Sequence, residues 1–172
     1  VLYTEQQEWA LARDAFIRAV QAKPHDPDFH RNLGLTFAKL EDWDLAAQSF
    51  RKYIDLGQAG QRDGWRLLAS ALRRAGDTAA ARAAYEEGLQ ALGKAPAAET
   101  MRLALGLASL EREAGDEDAV RRVLAKYQPV SREFRAQVEA ENDEPHHVDG
   151  YEEAEAIENN LLALYLENGQ IL

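Results

Sequence analysis

Trp9 and Trp43 stand 34 residues apart, and the same interval separates Tyr3 from Phe37, Ala12 from Ala46 and Phe16 from Phe50. The recurrence continues one residue out of step, Ala46 being followed by Ala81 and Phe50 by Tyr85, each 35 further on. A fixed period of this length marks an array in which one supersecondary unit recurs and buries its apolar face on its neighbours. Such arrays work as extended surfaces, so the search for function is a search for an exposed groove.

Apolar spacing defines the unit. Leu11, Ala12, Ala15, Phe16, Ala19 and Val20 recur every three or four residues and predict a helix over 8–22. Pro24 and Pro27 bracket the break that follows, because proline stops a helix and biases its predecessor towards extended backbone. A second helix is expected over 28–40, burying Leu33, Phe37 and Leu40. After a turn at Glu41-Asp42, a third carries Leu45, Ala46, Phe50, Tyr53 and Ile54 and ends at Gly57 and Gly60. The pattern restarts at Arg62. Trp65, Leu68, Ala71 and Leu72 face one way, Gly76-Asp77 turns the chain, and Ala81, Ala84, Tyr85 and Leu89 return it. A third cycle follows a looser connection at 93–96. It holds Leu103, Leu107, Ala108 and Leu110, then Gly115-Asp116, then Ala119, Val123 and Leu124, and Pro129 is expected to close it. Small residues at Gly34, Ala46, Ala69 and Ala81 are placed where two helices would cross closely.

At these positions the chain resembles the tetratricopeptide repeat family. The stretch 27–60 matches its signature through His30, Leu33, Gly34, Phe37, Ala46 and Phe50, with His30 where an aromatic is usual and Gln58 where a proline is usual. The stretch 62–95 matches through Trp65, Leu68, Ala69, Leu72, Gly76-Asp77, Ala81 and Tyr85, with Gly93 in place of the closing proline. Residues 1–26 are similar to the last two-thirds of another repeat, through Tyr3, Ala12, Phe16, Ala19 and Pro24. Residues 101–129 resemble a degenerate copy that lacks one residue before Ala119. The resemblance implies an all-α, right-handed superhelical solenoid of antiparallel helix pairs over 1–129. It also implies a non-catalytic, protein-binding role with no cofactor.

The bulk numbers bound the partners. Net charge is −10, yet ten acidic residues from Glu139 to Glu167 fall in a stretch that has no Lys or Arg from Gln137 onward. Taking those ten from the 30 acids leaves 20 against 20 bases in residues 1–136. A neutral body with an acidic end argues against nucleic acid held on a generally basic surface. No run of about 18 apolar residues exists, so no insertion into a membrane is expected. The absence of Cys excludes disulfides, thiolate zinc sites and a Cys nucleophile, and leaves cytoplasm and bacterial periplasm equally open. A chain opening on Val reads as an excised piece or a processed product.

The segment 130–172 matches no repeat. Its part 131–141 offers only a thin apolar face around Val130, Phe134 and Val138, and 142–150, with Pro145 and two His, reads as a linker or loop. Asp149 is the expected N-cap of a helix over 150–168, with Glu152 and Glu153 in its first turn and Gly169 able to end it. Ile157, Leu161, Leu162, Leu164, Tyr165 and Leu166 make that helix apolar enough to cap the array.

Catalytic chemistry finds little footing. His146, His147 and Asp149 have the donor types for a divalent metal, but two solvated His in a polar linker is the weightier reading, and no metal site is assigned. Ser49, Ser70, Ser109 and Ser131 sit in helical contexts without a nucleophile elbow, and no glycine-rich phosphate loop is present. The expectation is that the chain is not an enzyme.

In proteins similar to this one, the first helix of each repeat lines the concave side. Carried onto this sequence, the inner stripe is Asp28, Arg31, Leu35 and Lys39, then Asp63, Arg66, Ser70, Arg73 and Arg74, then Arg102, Leu105, Ser109 and Arg112. Seven of these thirteen positions are basic, and three- and four-residue spacing puts each set on one helix face. Arg forks bind carboxylates bidentately, so the stripe suits an acidic segment or a C-terminal carboxylate. Against this stands the general exposure of Arg and Lys on helices and their pairing with nearby acids. Chaperone-binding members of the family hold a partner's last carboxylate with a Lys/Arg and Asn clamp. Arg31, Asn32 and Arg66 match part of it, but Leu35 and Leu67 replace the asparagines, which favours a general acidic-peptide groove.

The expected function is therefore an interaction scaffold, by analogy part of a larger bacterial assembly or secretion protein. A homo-oligomerisation module and the non-catalytic arm of a larger enzyme are the alternatives. The acidic segment 139–158 is expected to compete for the groove, the alternative being that 150–168 only caps the array.

Overall fold

The computed structural model describes residues 2–57, 63–93, 98–141 and 148–167, with the side chains of 5–163 among them. Outside these lie Gln58, Gly60 and Arg62, residues 94–96, Pro145, His146, His147 and Gly169, together with the side chains of Tyr3, Leu164, Tyr165 and Leu166. The described residues form eight helices and no strand: α1 (Leu2–Ala22), α2 (Pro27–Lys39), α3 (Trp43–Leu56), α4 (Gly64–Arg74), α5 (Thr78–Leu92), α6 (Ala98–Glu113), α7 (Glu117–Glu141) and α8 (Tyr151–Glu167). The fold is all-α and of the helical-repeat kind. Packing divides the chain into two compact units, Val1–Ala84 and Tyr85–Leu172, a division that falls inside α5.

In the first unit α2 packs between α1 and α3, and α3 between α2 and α4. Asp26 starts α2 by accepting a 3.1 Å hydrogen bond from the Asp28 amide, and Pro27 follows where its missing N–H has no helical partner. The core is built from Leu33, Phe37, Phe50, Tyr53 and Leu68, all under 9% exposed. Ala46, Ala69 and Ala81 are fully buried, and a Cβ on Gly34 would lie 2.6 Å from Cε1 of Phe50. Helix spacing at these points is set by the absence of larger side chains.

One turn recurs three times and explains why the helix pairs fold back in the same way. The amides of Asp42, Asp77 and Asp116 donate to the carbonyls of Phe37, Leu72 and Glu111 at 2.9, 3.0 and 3.0 Å. The preceding residue donates to Ala38, Arg73 and Arg112 respectively, which completes a Schellman closure each time. That residue must take positive φ, and it is Gly76 (86°), Gly115 (78°) and, against preference, Glu41 (62°). Asp77 and Asp116 then accept hydrogen bonds from the Ala80 and Ala119 amides, at 3.0 and 2.8 Å, and start the next helix.

In the second unit α6, α7 and α8 pack against one another. Two expectations change here. Pro129 does not close the third cycle, because α7 runs through it to Glu141. Proline removes one helical hydrogen bond at a cost of about 3 kcal/mol. Burial of Tyr127, Val130, Ser131 and Val138 along a continuous stripe offsets that loss, and the Ser131 hydroxyl donates to the Gln128 carbonyl at 2.8 Å. The apolar face of 131–141 is thin, but it meets α8. At the start of α8, Gly150 and not Asp149 supplies the carbonyl that accepts from Ala154, at 3.0 Å, with Gly150 at φ 84°. Tyr151, Ala154, Ile157 and Leu161 are each at most 2% exposed, so α8 is a packed element of this unit.

Candidate functional site

The stripe residues of the first unit fall on α2 and α4. Arg31 turns to Asp63, with Nη2 and Nε 2.7 and 3.0 Å from the same carboxylate oxygen. Tyr53 donates its hydroxyl to the other oxygen at 3.0 Å. The bond to Asp63 holds the Arg31 guanidinium above its ordinary range. Burial, with the Asp63 bond adding to it, pushes the Tyr53 phenol up to about 12. Arg31 and Asp63 therefore tie the second turn of α2 to the start of α4.

The two cations at the far ends of the same helices sit on aromatic faces. Lys39 Nζ lies 5.7 Å from the Trp9 ring centre, and the Arg74 guanidinium 5.6 Å from the Trp43 ring centre. The tryptophans are the 34-residue pair, so the same cation–aromatic contact is made twice. Arg66, Ser70 and Arg73 are half-buried along α4, and Arg66 and Arg73 each interact with a further group. Leu35 and Lys39 also border a cavity of about 520 Å³, together with Trp9, Phe16, Asn32, Thr36, Ala38 and Trp43.

The stripe residues of α6 meet α8. Arg102 Nε donates to Glu153 at 3.0 Å and Nη1 to Glu99 at 3.4 Å, and the Glu153 bond holds the guanidinium above its usual range. Arg112 donates to the Asn160 side-chain carbonyl at 3.2 Å. Leu105 is half-buried and Ser109 exposed. A neighbouring staple holds α7 to α8: Arg135 donates to Glu158 at 2.5 Å and to the Tyr151 hydroxyl at 3.2 Å. That hydroxyl donates to Glu139 at 3.1 Å. Acidic side chains of the tail thus lie on the basic residues of α6 and α7 within this unit. A second cavity, also about 520 Å³, is lined by residues of α5, α6 and α7 including Leu89, Arg122, Lys126 and Tyr127, and contains no stripe residue.

Two of the serine hydroxyls are engaged by backbone carbonyls of their own helices. Ser49 donates to the Leu45 carbonyl and Ser131 to that of Gln128, both at 2.8 Å. Among the described residues no three His, Asp or Glu converge as metal donors, and no helix is long and apolar enough to cross a membrane. The His146-His147 pair lies outside the described residues.

A family model described as the tetratricopeptide repeat matches residues 2–63. That stretch is similar to the tetratricopeptide repeat. Two solved structures of MamA are similar to it. One covers 96% of this chain and 93% of its own at 14% identity and a TM-score of 0.59. The other covers 95% and 86% at 15% identity and the same TM-score. At such identities the likeness shows the fold alone. No curated protein matches the chain.

Sequence reasoning placed Leu35 and Lys39 on one helix face but did not put them beside Trp9, Phe16 and Trp43, which border the same cavity. The signal was present in the 34-residue spacing of the tryptophans, which reads equally well as core periodicity. It also missed Glu153 and Asn160 as the partners of Arg102 and Arg112. The acid excess of the tail pointed to them only in kind.

Proposed function

We propose that this tetratricopeptide protein is a non-catalytic interaction scaffold, and that the α2–α4 face of its first unit receives an acidic or extended segment of a partner protein. The observation that carries this reading is the row of Lys39 over Trp9 and Arg74 over Trp43, with Leu35 beside the first. A cation stacked on an aromatic face keeps its donors for a carboxylate while the ring offers an apolar contact. Ser70 and the α4 arginines Arg66 and Arg73 continue the same stripe. Arg31 is committed to Asp63 and serves to hold α2 and α4 in register. Arg102, Leu105 and Arg112 belong to the α6 stripe, where α8 supplies acidic and amide partners from the same chain.

The test is fluorescence anisotropy with a labelled peptide of alternating Glu and Leu. Screening lengths fall from about 10 Å at 0.1 M salt to about 3 Å at 1 M, so affinity should drop across that range. Reversing Arg73 and Arg74 to Glu should slow association. Affinity indifferent to both changes contradicts the reading.

A further inference from the structure

Three helices of the second unit, α5, α6 and α7, border the cavity of about 520 Å³ that holds no stripe residue. Its apolar lining is fixed by packing. Leu89 of α5, Leu107 of α6 and Tyr127 of α7 are each at most 6% exposed, and Val123 of α7 is half-buried beside them. The polar lining is split by charge. On α5 it is Glu86 and Gln90, about one turn apart and exposed. On α7 it is Arg122 and Lys126, also about one turn apart and exposed. Helix α5 ends at the same cavity, where Gly93 takes φ 70° just past Leu92. The C-terminal end of a helix carries partial negative charge, which adds to that of Glu86. Arg122 has Asp116 at 4.0 Å, and Lys126 Nζ lies 5.3 Å from the Tyr127 ring centre. Arg has five donors and Lys three, so neither contact exhausts them.

We propose that this cavity binds a short apolar peptide of two or three residues with both termini free. Its ammonium lies towards Glu86 and the end of α5, and its carboxylate towards Arg122 and Lys126. The inference stands apart from the scaffold reading of the first unit. Size sets the first limit. The volume falls within the roughly 300–1,000 Å³ of small-ligand sites. From Glu86 to Gly93 the α5 wall rises about 10 Å at about 1.5 Å per residue. An extended chain covers that length in about three residues. Charge sets the second limit. A purely anionic ligand meets Glu86 and the end of α5, and a purely cationic one meets Arg122 and Lys126. The opposite charges stand on different helices, so the two charged ends of the ligand are separated by its apolar body. A free apolar peptide has this order of groups, and its side chains suit Leu89, Leu107, Val123 and Tyr127. Gln90 offers a donor and an acceptor to the peptide bond. An internal segment of a protein has neither terminal charge, and a protein's C-terminal tail lacks the ammonium.

The probe is the dipeptide Leu-Phe with a para-fluoro ring, titrated with the full chain while its fluorine resonance is followed. A saturable shift is expected. The N-acetyl and C-terminal amide forms each lose one charged contact, and affinity should fall about three- to fivefold for each. Glu86→Gln should weaken the free dipeptide by a similar factor and leave the N-acetyl form unchanged. Arg122→Gln with Lys126→Gln should weaken it likewise and leave the amide form unchanged. All three side chains are exposed, so circular dichroism should stay that of the parent. Equal affinity of the N-acetyl form overturns the inference in favour of a protein's C-terminal tail. Equal affinity of the amide form overturns it in favour of a cationic ligand. A dipeptide that does not saturate the chain, or that binds indifferently to both sets of substitutions, overturns it outright.

Discussion

Gly34 and Phe50 are in contact so close that a Cβ on the glycine would lie 2.6 Å from the aromatic ring. The same relationship recurs in the second unit, where a Cβ on Gly106 would lie 2.5 Å from Cε1 of Tyr85. In both, an aromatic residue of one helix fills the space left by a missing side chain on another. Phe50→Ala should therefore cost about 3–5 kcal/mol, through lost burial and a cavity that only partly relaxes. Gly34→Ala should cost about 1–3 kcal/mol by overpacking, more than helix propensity returns. Ala46→Leu and Ala81→Leu should destabilise for the same reason, both sites being fully buried. Urea denaturation checks each, and a neutral Gly34→Ala would show that the ring moves aside freely.

Glu41 holds a backbone conformation that Gly76 and Gly115 hold at the equivalent turns. Relief of left-handed strain is worth about 1–2 kcal/mol for a side-chain-bearing residue. The added freedom of glycine in the unfolded chain returns about 0.4–1 kcal/mol of that. Glu41→Gly should thus stabilise the protein by up to about 1.6 kcal/mol, seen as a raised Tm. A lowered Tm would mean that the Glu41 side chain contributes more than its backbone costs.

Tyr53 gives the first unit a signature at high pH. Its phenol is pushed up to about 12 by burial and by its bond to Asp63, so the folded state holds this proton more tightly than the unfolded one. The associated stability is complete below the unfolded phenol value of about 10 and is lost as pH rises through about 12. The wild type should lose stability across that window faster than Tyr53→Phe, which has no proton to release. Parallel pH profiles would place Tyr53 in a less buried setting than the one described.

Helix α8 is packed in the second unit and also lies on Arg102, Arg112 and Arg135. Ile157→Ala, at a fully buried site, should cost about 2–5 kcal/mol. Ending the chain at Glu141 should lower Tm and expose Val130 and Val138 to an apolar dye. Unchanged Tm after that truncation would show that α8 is not a cap.

Much of the helical layout was legible because Schellman turns, prolines and apolar spacing are local signals that agree with one another. Glu41-Asp42, Gly76-Asp77 and Gly115-Asp116 mark all three turns in the sequence. Pro129 misled because its cost is local, while the burial that outweighs it comes from packing of α7 on α6 and α8, elements separate from it in sequence. The stripe cations were legible as a pattern but not as partnerships. Spacing puts Arg31 and Lys39 on one helix face, yet only the fold decides that one meets Asp63 and the other Trp9. Long side chains choose partners across helices, and sequence separation carries little information about that choice.

The most direct test of the scaffold account is amide chemical-shift mapping of the full chain during titration with the acidic peptide. The account predicts that perturbations gather on the first unit at Leu35, Lys39, Ser70, Arg73 and Arg74, and that they fade together as salt is raised. Perturbations confined to other faces, such as the Arg122 and Lys126 side of the second unit, or none at all at saturating peptide, would contradict it.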